Sequence, residues 1–360
     1  MKIITVAGAR PNFIKIAPLY RAFKKNEDKV KHLICHTGQH FDKNMSKIFF
    51  EQLEMPEPDF NLGIGSGTHA DQTARIMVEF EKVLNQEKPD LILVPGDVNS
   101  TLACSVVASK MGIKIGHVEA GLRSFDRGMP EEINRIVTDV LSDYLFVSEN
   151  SGITHLRQEG IPEERIHFVG NIMIDSLVHM LPKIENSEIL GKLDINTGHY
   201  TLMTFHRPSN VDTKNSLERL VGMLNLLSAE TRLVFPIHPR TKKNLEEHGL
   251  SKELNPGIIL LDPIGYIDFL ALTRSAELVI TDSGGIQEET TFLGVQCITV
   301  RDNTERPVTV TEGTNQLIGT DLEEVEKAAI KVLAGEKKKG RIPELWDGRT
   351  ADRIVDIIAG

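Results

Sequence analysis

Three carboxylates lie at or just beyond the ends of predicted strands in the first half of the chain. They are Asp97, Glu119 and Glu131, and Arg123 and Arg135 lie nearby to set their charge. An acidic side chain that follows an apolar strand is half buried, so its charge needs a partner or its pKa shifts. Each carboxylate taken alone could instead cap a helix or complement a helix dipole. Three of them together favour general acid/base chemistry.

A second group of residues is suited to bind a phosphate. Ser283, Gly284 and Gly285 follow an apolar run, and such a turn lets backbone N–H groups approach a phosphate at a helix N-terminus. Glu289, in the first turn of that helix, could accept hydrogen bonds from a ribose, and Arg306 could neutralise a diphosphate from the far side. The arrangement suits one nucleoside diphosphate.

Further cations follow predicted strands in both halves of the chain. Arg10 and Lys15 come after the first strand, where a helix N-terminus already favours an anion. His206 and Arg207 follow a strand in the second half and could donate to phosphate oxygens. The alternatives are solvated loop cations and a buried structural histidine. The first loop lacks a Gly-x-Gly-x-x-Gly pattern, which disfavours a dinucleotide.

Cysteine and histidine usage predicts neither a disulfide framework nor a metal site. Cys35, Cys104 and Cys297 are an odd number of widely spaced residues, so we expect buried thiols in a reducing cytoplasm. His36 and His40 have a glycine between them and no carboxylate cluster to complete a site, so we expect no metal.

Composition and charge exclude several classes of protein. The chain has 360 residues, of which 40% are hydrophobic and 26% charged, as expected for a globular protein of two or three domains. Its net charge of −10 disfavours nucleic acid or an anionic membrane as a partner. No apolar run approaches the ~20 residues that span a bilayer.

Short β-branched runs alternate with stretches of helical spacing, and this alternation occurs twice along the chain. It predicts βαβ units and parallel, doubly wound sheets. We therefore expect an α/β fold with two Rossmann-like domains, residues 1–169 and 170–344, and an amphipathic closing helix within 345–360. Two such domains would face a central cleft between the carboxyl ends of their sheets. The predicted strands are Lys2–Ala7, Val30–Thr37, Leu91–Pro95, Lys114–Val118, Tyr144–Val147, Arg165–Val169, Tyr200–Phe205, Arg232–Ile237, Gly257–Leu261, Leu278–Thr281 and Gln296–Val300.

Motifs that are weak singly become specific when their order and spacing are taken together. They are Gly8-Ala9-Arg10-Pro11, Gly38-Gln39-His40, Gly96-Asp97, His117-Val118-Glu119-Ala120-Gly121-Leu122-Arg123, Pro130-Glu131-Glu132-Ile133-Asn134-Arg135, Asp282-Ser283-Gly284-Gly285-Ile286-Gln287-Glu288-Glu289 and Glu305-Arg306-Pro307. Over nearly the whole chain, this set resembles the non-hydrolysing UDP-N-acetylglucosamine 2-epimerases.

The resemblance implies a fold, a reaction and an assembly. The fold is the GT-B architecture, often with the last helix returning to the first domain, and the assembly is a homodimer. The reaction interconverts UDP-N-acetylglucosamine and UDP-N-acetylmannosamine without a metal or a nicotinamide cofactor. UDP leaves C1 in an anti elimination as the C2 proton is removed, giving 2-acetamidoglucal. Reprotonation on the opposite face and re-addition of UDP complete the reaction.

The resemblance also implies roles for single residues. The acid/base carboxylates are Asp97, Glu119 and Glu131, and which of them removes the proton stays open. His206 is the catalytic or phosphate-facing histidine. The implied substrate contacts are Arg10, Lys15, Ser283, Gly284, Gly285 and Arg306, with Glu289 on the ribose and Phe269 near the uracil. In some bacterial members a second UDP-N-acetylglucosamine is an activator, and its contacts would fall on Gln39, His40 and Arg75.

Two departures from the best-known bacterial pattern leave the sugar open. The loop Ser124–Met129 is short, and His206-Arg207 is followed by Pro208-Ser209-Asn210, where many members have Glu before Asn. UDP-diacetamido-uronic acids and UDP-deoxysugars are therefore alternative substrates. Three rival activities use a similar cleft: a hydrolysing epimerase that releases ManNAc and UDP, a GT-B glycosyltransferase, and a non-catalytic UDP-sugar sensor. The glycosyltransferase and the sensor leave the three carboxylates unexplained.

Overall fold

A computed structural model describes residues 1–8, 10–38 and 52–360, and of residues 10 and 11 the backbone only. The chain divides into two compact units. The first unit comprises Met1–His179 and Glu344–Gly360, and the second comprises Met180–Pro343. The division falls ten residues beyond the expected boundary at residue 169, inside the helix Ile172–Glu185.

The first unit contains, among its described residues, a sheet of seven parallel strands. The sheet order is β3-β2-β1-β4-β5-β6-β7. Its strands are β1 (Lys2–Ala7), β2 (Lys31–His36), β3 (Phe60–Asn61), β4 (Leu91–Pro95), β5 (Lys114–Ala120), β6 (Tyr144–Val147) and β7 (Ile166–Phe168). Its helices are α1 (Arg10–Lys24), α2 (His69–Glu87), α3 (Asn99–Lys110), α4 (Pro130–Leu141), α5 (Asn150–Gln158) and the start of α6 (Ile172–Glu185), with a 3₁₀ turn at Glu163–Arg165.

The second unit contains a sheet of six parallel strands in the order β10-β9-β8-β11-β12-β13. Its strands are β8 (Tyr200–Thr204), β9 (Arg232–Pro236), β10 (Ile259–Leu261), β11 (Leu278–Thr281), β12 (Gln296–Thr299) and β13 (Asn315–Leu317). Its helices are α7 (Ile189–Lys192), α8 (Pro208–Val211), α9 (Lys214–Glu230), α10 (Pro239–Glu247), α11 (Tyr266–Ser275), α12 (Gly284–Leu293), α13 (Pro307–Thr311) and α14 (Leu322–Leu333), with a 3₁₀ turn at Leu250–Glu253. The predicted α/β class with two Rossmann-like parallel-sheet units is confirmed.

The strands are apolar runs because helices cover both faces of each sheet. All five residues of β4 are buried, and so are all four of β11, as expected for parallel strands inside an α/β unit. Several of the helices that follow strands begin with proline, which loses no helical hydrogen bond at that position. They start at Pro130, Pro208, Pro239 and Pro307.

Each sheet has a point where the strand order reverses, and the predicted site residues cluster there. In the first unit β1 lies between β2 and β4, and in the second β8 lies between β9 and β11. The carboxyl ends of strands at such a switch point form the ligand-binding crevice of open α/β sheets. The loops after β1 and β4, and those after β8 and β11, therefore lie where each unit is expected to bind a ligand.

The last helix, α15 (Thr350–Ala359), belongs to the first unit and packs on α1. Trp346 precedes this helix and is buried, and its indole N–H donates to the Ser148 carbonyl at 2.9 Å. Asp175 accepts hydrogen bonds from the backbone N–H groups of Thr350 and Ala351, at 3.0 and 2.7 Å. This carboxylate therefore caps the helix. Among the described residues, no helix is both long and apolar enough to cross a membrane.

Candidate active site

Glu119 occupies a strained position at the carboxyl end of β5. The pairing of β5 with β6 shifts by one residue between Val118 and Ala120, so Glu119 is the extra residue of a β-bulge, and its φ is +73°. Bulges re-aim side chains next to active sites. The carboxylate of Glu119 is buried and forms an ion pair with the buried Lys15 ammonium. Its Oε1 is buried and has no hydrogen-bond partner among the described residues, so this acceptor is left unpaired.

Gly96 makes room for this ion pair. A Cβ atom at Gly96 would lie 2.9 Å from Lys15 Nζ and 3.7 Å from Glu119 Oε2, and the residue has a φ of +72°. Asn12 fixes the same turn by donating from its amide to the Pro95 carbonyl at 2.7 Å. Any side chain at position 96 would therefore displace Lys15 from Glu119.

Asp97 is held by a buried arginine. Its carboxylate pairs with Arg135, which also donates to Glu132 Oε2 at 2.7 Å. Burial acts to raise the pKa of Glu132, but the Ser124 amide, the Arg135 guanidinium and a second loop amide hold it below its usual range. Glu131, its neighbour in the first turn of α4, is half-exposed. Within the described residues, the first unit thus brings Asp97 and Glu119 to adjacent strand ends.

Arg123 does not set the charge of the predicted carboxylates, contrary to our expectation. It contacts Asp139 Oδ2 at 2.7 Å and donates two hydrogen bonds to Glu159, at 2.8 and 2.7 Å. The other oxygen of Asp139 contacts His117 Nδ1 at 2.6 Å, and the opposite nitrogen of that ring lies 2.8 Å from the Gly96 carbonyl. The His117 ring therefore links Asp139 to the Gly96 turn.

The N-terminus of α12 is open to an anion. Ser283 is the N-cap residue, but its side chain makes no capping hydrogen bond, and Gly284 and Gly285 form the first positions of the helix. A Cβ at Gly284 would lie 3.0 Å from Arg306 Nη1. Arg306 itself contacts Glu288 Oε1 at 2.8 Å and Glu305 Oε1 at 3.2 Å. The backbone N–H groups and the helix dipole therefore remain the main source of positive potential here.

Glu289 is buried in the first two turns of α12 and is bound by a tyrosine. The Tyr266 hydroxyl donates to Glu289 Oε1 at 3.0 Å. Burial raises the pKa of Glu289 to about 8, a shift that Tyr266 opposes and Glu288 increases. Phe269 is partly exposed and lies three residues after Tyr266 on α11, so the two rings share a helix face.

His206 is oriented by a buried aspartate. Its Nδ1 lies 2.8 Å from Oδ1 of Asp282, which directly follows β11, and the imidazole is 41% exposed. Burial acts to raise the pKa of Asp282, but His206 and the N–H groups of Arg207 and Asn210 hold it below its usual range. The carboxylate is therefore ionised, and the imidazole is the exposed end of a carboxylate–histidine pair.

The remaining predicted residues are Gln39, His40, Arg10 and Arg75. Gln39 and His40 lie outside the described residues, as does the side chain of Arg10. Arg75 on α2 donates to Asp71 Oδ2 at 2.6 Å and to the Ser66 carbonyl at 3.2 Å. Within the described ranges, no group of three or more His, Cys, Asp or Glu side chains is arranged to hold a metal ion.

Three partners of the predicted residues were missed by sequence reasoning. Asp282 stands inside a recognised motif without a predicted role, Tyr266 lies outside the predicted set, and Glu132 is not distinguished from Glu131 by sequence alone. A helical count places Glu132 and Arg135 on one face of α4, at positions i and i+3, and could have identified that pair. No local signal links Tyr266 to Glu289, because 23 residues separate them.

Comparison with known proteins gives matches over almost the whole chain. The family model for UDP-N-acetylglucosamine 2-epimerase matches residues 21–359. The chain is 45% identical to the UDP-N-acetylglucosamine 2-epimerase of Methanocaldococcus jannaschii, over 99% of each chain. It is 42% identical to the UDP-2,3-diacetamido-2,3-dideoxy-D-glucuronate 2-epimerase of Pseudomonas aeruginosa, over 100% of this chain and 99% of that protein.

A solved structure is similarly close. The crystal structure of the Methanocaldococcus jannaschii UDP-GlcNAc 2-epimerase, in complex with UDP-GlcNAc and UDP, superposes with a TM-score of 0.90 and covers 99% of both chains at 45% identity. Both the family match and these identities extend over almost the entire sequence. The chain therefore belongs to the UDP-N-acetylglucosamine 2-epimerase family.

Proposed function

We propose that this chain interconverts UDP-N-acetylglucosamine and UDP-N-acetylmannosamine by anti elimination of UDP and its re-addition to 2-acetamidoglucal. The observation that carries the proposal is the full-length similarity to UDP-N-acetylglucosamine 2-epimerases, at up to 45% identity. The residues at the two switch points supply groups suited to each step of this reaction.

The first unit supplies the acid/base groups. The C2 proton of the sugar is not adjacent to a carbonyl, so its removal needs a well-placed base, and protonation of the other face needs a separate acid. Asp97, Glu119 and Glu131 are the candidates, and one of them takes the proton as the C–H electrons form the C1–C2 double bond. The Lys15 ammonium holds Glu119 in place, and the unpartnered Oε1 of that carboxylate is free to accept a proton.

The second unit holds the nucleotide. The C1–O bond breaks with its electron pair on a phosphate oxygen, so the departing diphosphate needs strong stabilisation. The N–H groups at Ser283, Gly284 and Gly285 meet that charge at the start of α12. Glu289 accepts a ribose hydroxyl and Phe269 lies against the uracil. Arg306, already paired with two glutamates, contributes less charge than its position alone suggests.

A second candidate substrate has a specific observation in its favour. The Pseudomonas aeruginosa relative that is 42% identical over the whole chain is named for a UDP-2,3-diacetamido-uronate. Its identity to this chain is only slightly below that of the UDP-N-acetylglucosamine enzyme. The same elimination would act on either sugar, because both carry an acetamido group at C2 and UDP at C1.

Hydrogen exchange distinguishes these possibilities. The purified protein is incubated in D₂O with UDP-N-acetylglucosamine, and in parallel with the UDP-diacetamido-uronate, and the sugars are followed by NMR. We expect deuterium at C2 together with the UDP-linked C2 epimer for the preferred sugar. Free ManNAc would indicate a hydrolysing epimerase, and an absolute requirement for an acceptor would indicate a glycosyltransferase. Failure to exchange C2 with either sugar would overturn the proposal.

We also propose that the protein acts in the cytoplasm. Its three cysteines are free and buried, and burial raises the pKa of Cys35 to about 12 and that of Cys297 to about 11. Neutral, enclosed thiols of this kind suit a reducing compartment and make no structural disulfide.

We further propose that the protein is a homodimer. An apolar groove of about 560 Å³ lies between α2, α3 and α4 of the first unit, lined by residues that include Met77, Leu102 and Ile133. Val78 and Val140, on two of these helices, are each 57% exposed. An open apolar groove, with exposed apolar side chains on two of the same helices, favours an interface.

A further inference from the structure

Asp282 is fully buried yet ionised, and its hydrogen bonds are divided unequally between its two oxygens. Oδ2 accepts from the His206 and Arg207 backbone N–H groups at 3.0 and 2.9 Å, and from the Asn210 side-chain amide at 3.0 Å. Oδ1 lies 2.8 Å from His206 Nδ1 and also accepts, at 3.2 Å, from the His206 backbone N–H that it shares with Oδ2. Oδ2 thus takes most of the hydrogen bonds from the segment after β8, while Oδ1 faces the imidazole.

This contact determines which ring nitrogen of His206 carries the proton. An ionised carboxylate can only accept, so Nδ1 must be the donor in both the neutral and the charged ring. In the neutral ring the lone pair is then on Nε2, which has no partner among the described residues. When Nε2 also takes a proton, the adjacent carboxylate stabilises the resulting imidazolium.

The neighbouring charged and titratable groups do not supply an alternative partner. The rings of His206 and His238 have centroids 5.7 Å apart, but His238 Nδ1 accepts from the Arg240 backbone N–H at 3.2 Å, which places its proton on Nε2. The Arg207 guanidinium donates to the Asp282 carbonyl at 3.0 Å. Within the described residues, Asp282 is therefore the anion that orients His206.

We propose that Asp282 is a positioning residue for the epimerisation: by holding Nδ1–H of His206 it keeps Nε2 as the working nitrogen. Nε2 then binds a proton from solvent, and the imidazolium donates an Nε2–H hydrogen bond to an oxygen of the departing diphosphate. This role rests on the proposed function, because it acts through the histidine that the elimination uses. A charge-assisted donor of this kind binds an oxyanion about twice as strongly as a neutral one.

Asp282→Asn tests the proposal with little change of shape. With its carbonyl in the place of Oδ2, asparagine keeps the three donors on that side and turns its NH₂ group toward His206 Nδ1. Nδ1 must then accept, so the ring changes to the Nε2–H tautomer and resists becoming an imidazolium. We expect ¹⁵N NMR to show this change of tautomer, and kcat to fall about 10²-fold with KM for UDP-N-acetylglucosamine within about threefold.

Two comparisons separate positioning from a purely structural role. Asn210→Ala removes one donor to Asp282 Oδ2 but leaves the contact between Oδ1 and His206 Nδ1. It should therefore lower the unfolding temperature, leave the His206 tautomer unchanged and keep kcat within about threefold of wild type. In a His206→Asn background, Asp282→Asn should change kcat by less than about twofold, since it acts through the missing ring.

The outcomes are distinguishable from those that test the proposed function. A neutral Nε2–H tautomer in the wild-type protein would overturn the positioning role, and it can be read even if Asp282→Asn does not fold. An unchanged His206 tautomer in Asp282→Asn would also overturn the positioning role. So would fully additive effects of Asp282→Asn and His206→Asn on log kcat. Absence of C2 exchange in the wild-type protein would overturn the epimerase function and would leave the NMR result on His206 standing.

Discussion

Glu119 shows how one residue combines strain, burial and charge. A non-glycine residue at φ +73° costs about 1–3 kcal/mol and persists only where the surroundings enforce it. Here β5 pairs with β4 on one side and β6 on the other, and the bulge is confined to the β6 side. The strained backbone turns the carboxylate to Lys15, so the strain is tied to the placement of a candidate acid/base group.

Substitution of the other two carboxylates tests the acid/base assignment at the residue level. Asp97→Asn and Glu131→Gln keep the shape of each side chain but remove its ability to exchange a proton. General acid/base groups contribute about 10²–10⁴ in rate. We therefore expect kcat for the epimerisation to fall at least ~10²-fold in each variant, with the affinity for UDP retained in titration calorimetry.

A matched control uses a carboxylate far from the switch points. Glu164 is an exposed residue of the first unit, and Glu164→Gln should leave kcat within about twofold of wild type. Near-normal turnover in either Asp97→Asn or Glu131→Gln would remove that residue from the acid/base set. A loss of UDP binding in parallel with turnover would indicate a structural defect instead.

The types of the site residues are readable from the sequence, whereas their pairings are not. Asp97 and Ser283 stand out because a polar residue that ends an apolar strand must lie at the sheet edge. The side chains that pair in the site are far apart in the chain. Asp139 is 22 residues from its partner His117, and Glu119 is 104 residues from its partner Lys15. Contacts of that separation depend on sheet order, which local periodicity does not specify.

At the level of elements, apolar strands are predictable, including the short edge strands β7 and β10, whereas short polar edge strands are not. Leu91–Pro95 and Leu278–Thr281 are found as predicted, because each is a continuous apolar run. The edge strands β3 and β13 were not predicted. They have two and three residues, and much of each is only partly buried. Their pairing with a neighbouring strand, rather than their own composition, makes them strands.

The cap of α15 predicts a pH dependence of stability. Burial raises the pKa of Asp175 to about 6, opposed by the Ala351 and Thr350 amides and increased by Asp347. Since this value exceeds the ordinary 3.8, the folded protein binds the proton more tightly than the unfolded chain. Protonated Asp175 therefore stabilises the folded protein. This contribution is complete below about pH 4 and is lost as the pH rises through about 6.

Asp175→Asn removes this titration and allows it to be measured. The free energy of unfolding of wild type minus that of the variant should fall by roughly 2–3 kcal/mol between pH 4 and pH 7, as measured by urea denaturation at each pH. Ile357→Ala, in the same helix, changes no titratable group, so its difference from wild type should be nearly constant with pH. If the free energies of unfolding of wild type and Asp175→Asn change in parallel with pH, the raised pKa of Asp175 would be contradicted.

Over the whole molecule, the net charge of −10 makes the pairing of cations informative. Lys15, Arg135 and Arg306 lie at the candidate sites, and each is paired with a carboxylate. They therefore fix acidic side chains more than they attract a ligand. Under the proposed function, the diphosphate then depends largely on His206 and on backbone N–H groups, whose positive potential carries no counter-ion to displace.

The apolar groove between α2, α3 and α4 predicts the assembly of the molecule. If a second copy covers this groove, a charge within it must disrupt the dimer, because an unpaired charge in an apolar interface is costly. We expect wild type to have twice the 40.1 kDa chain mass by light scattering, and Met77→Glu to have the mass of a single chain with unchanged circular dichroism. Leu226→Glu is the matched control, since Leu226 is 57% exposed on α9 of the second unit, and it should remain dimeric. A monomeric wild type would contradict the dimer, and a dimeric Met77→Glu would place its interface elsewhere.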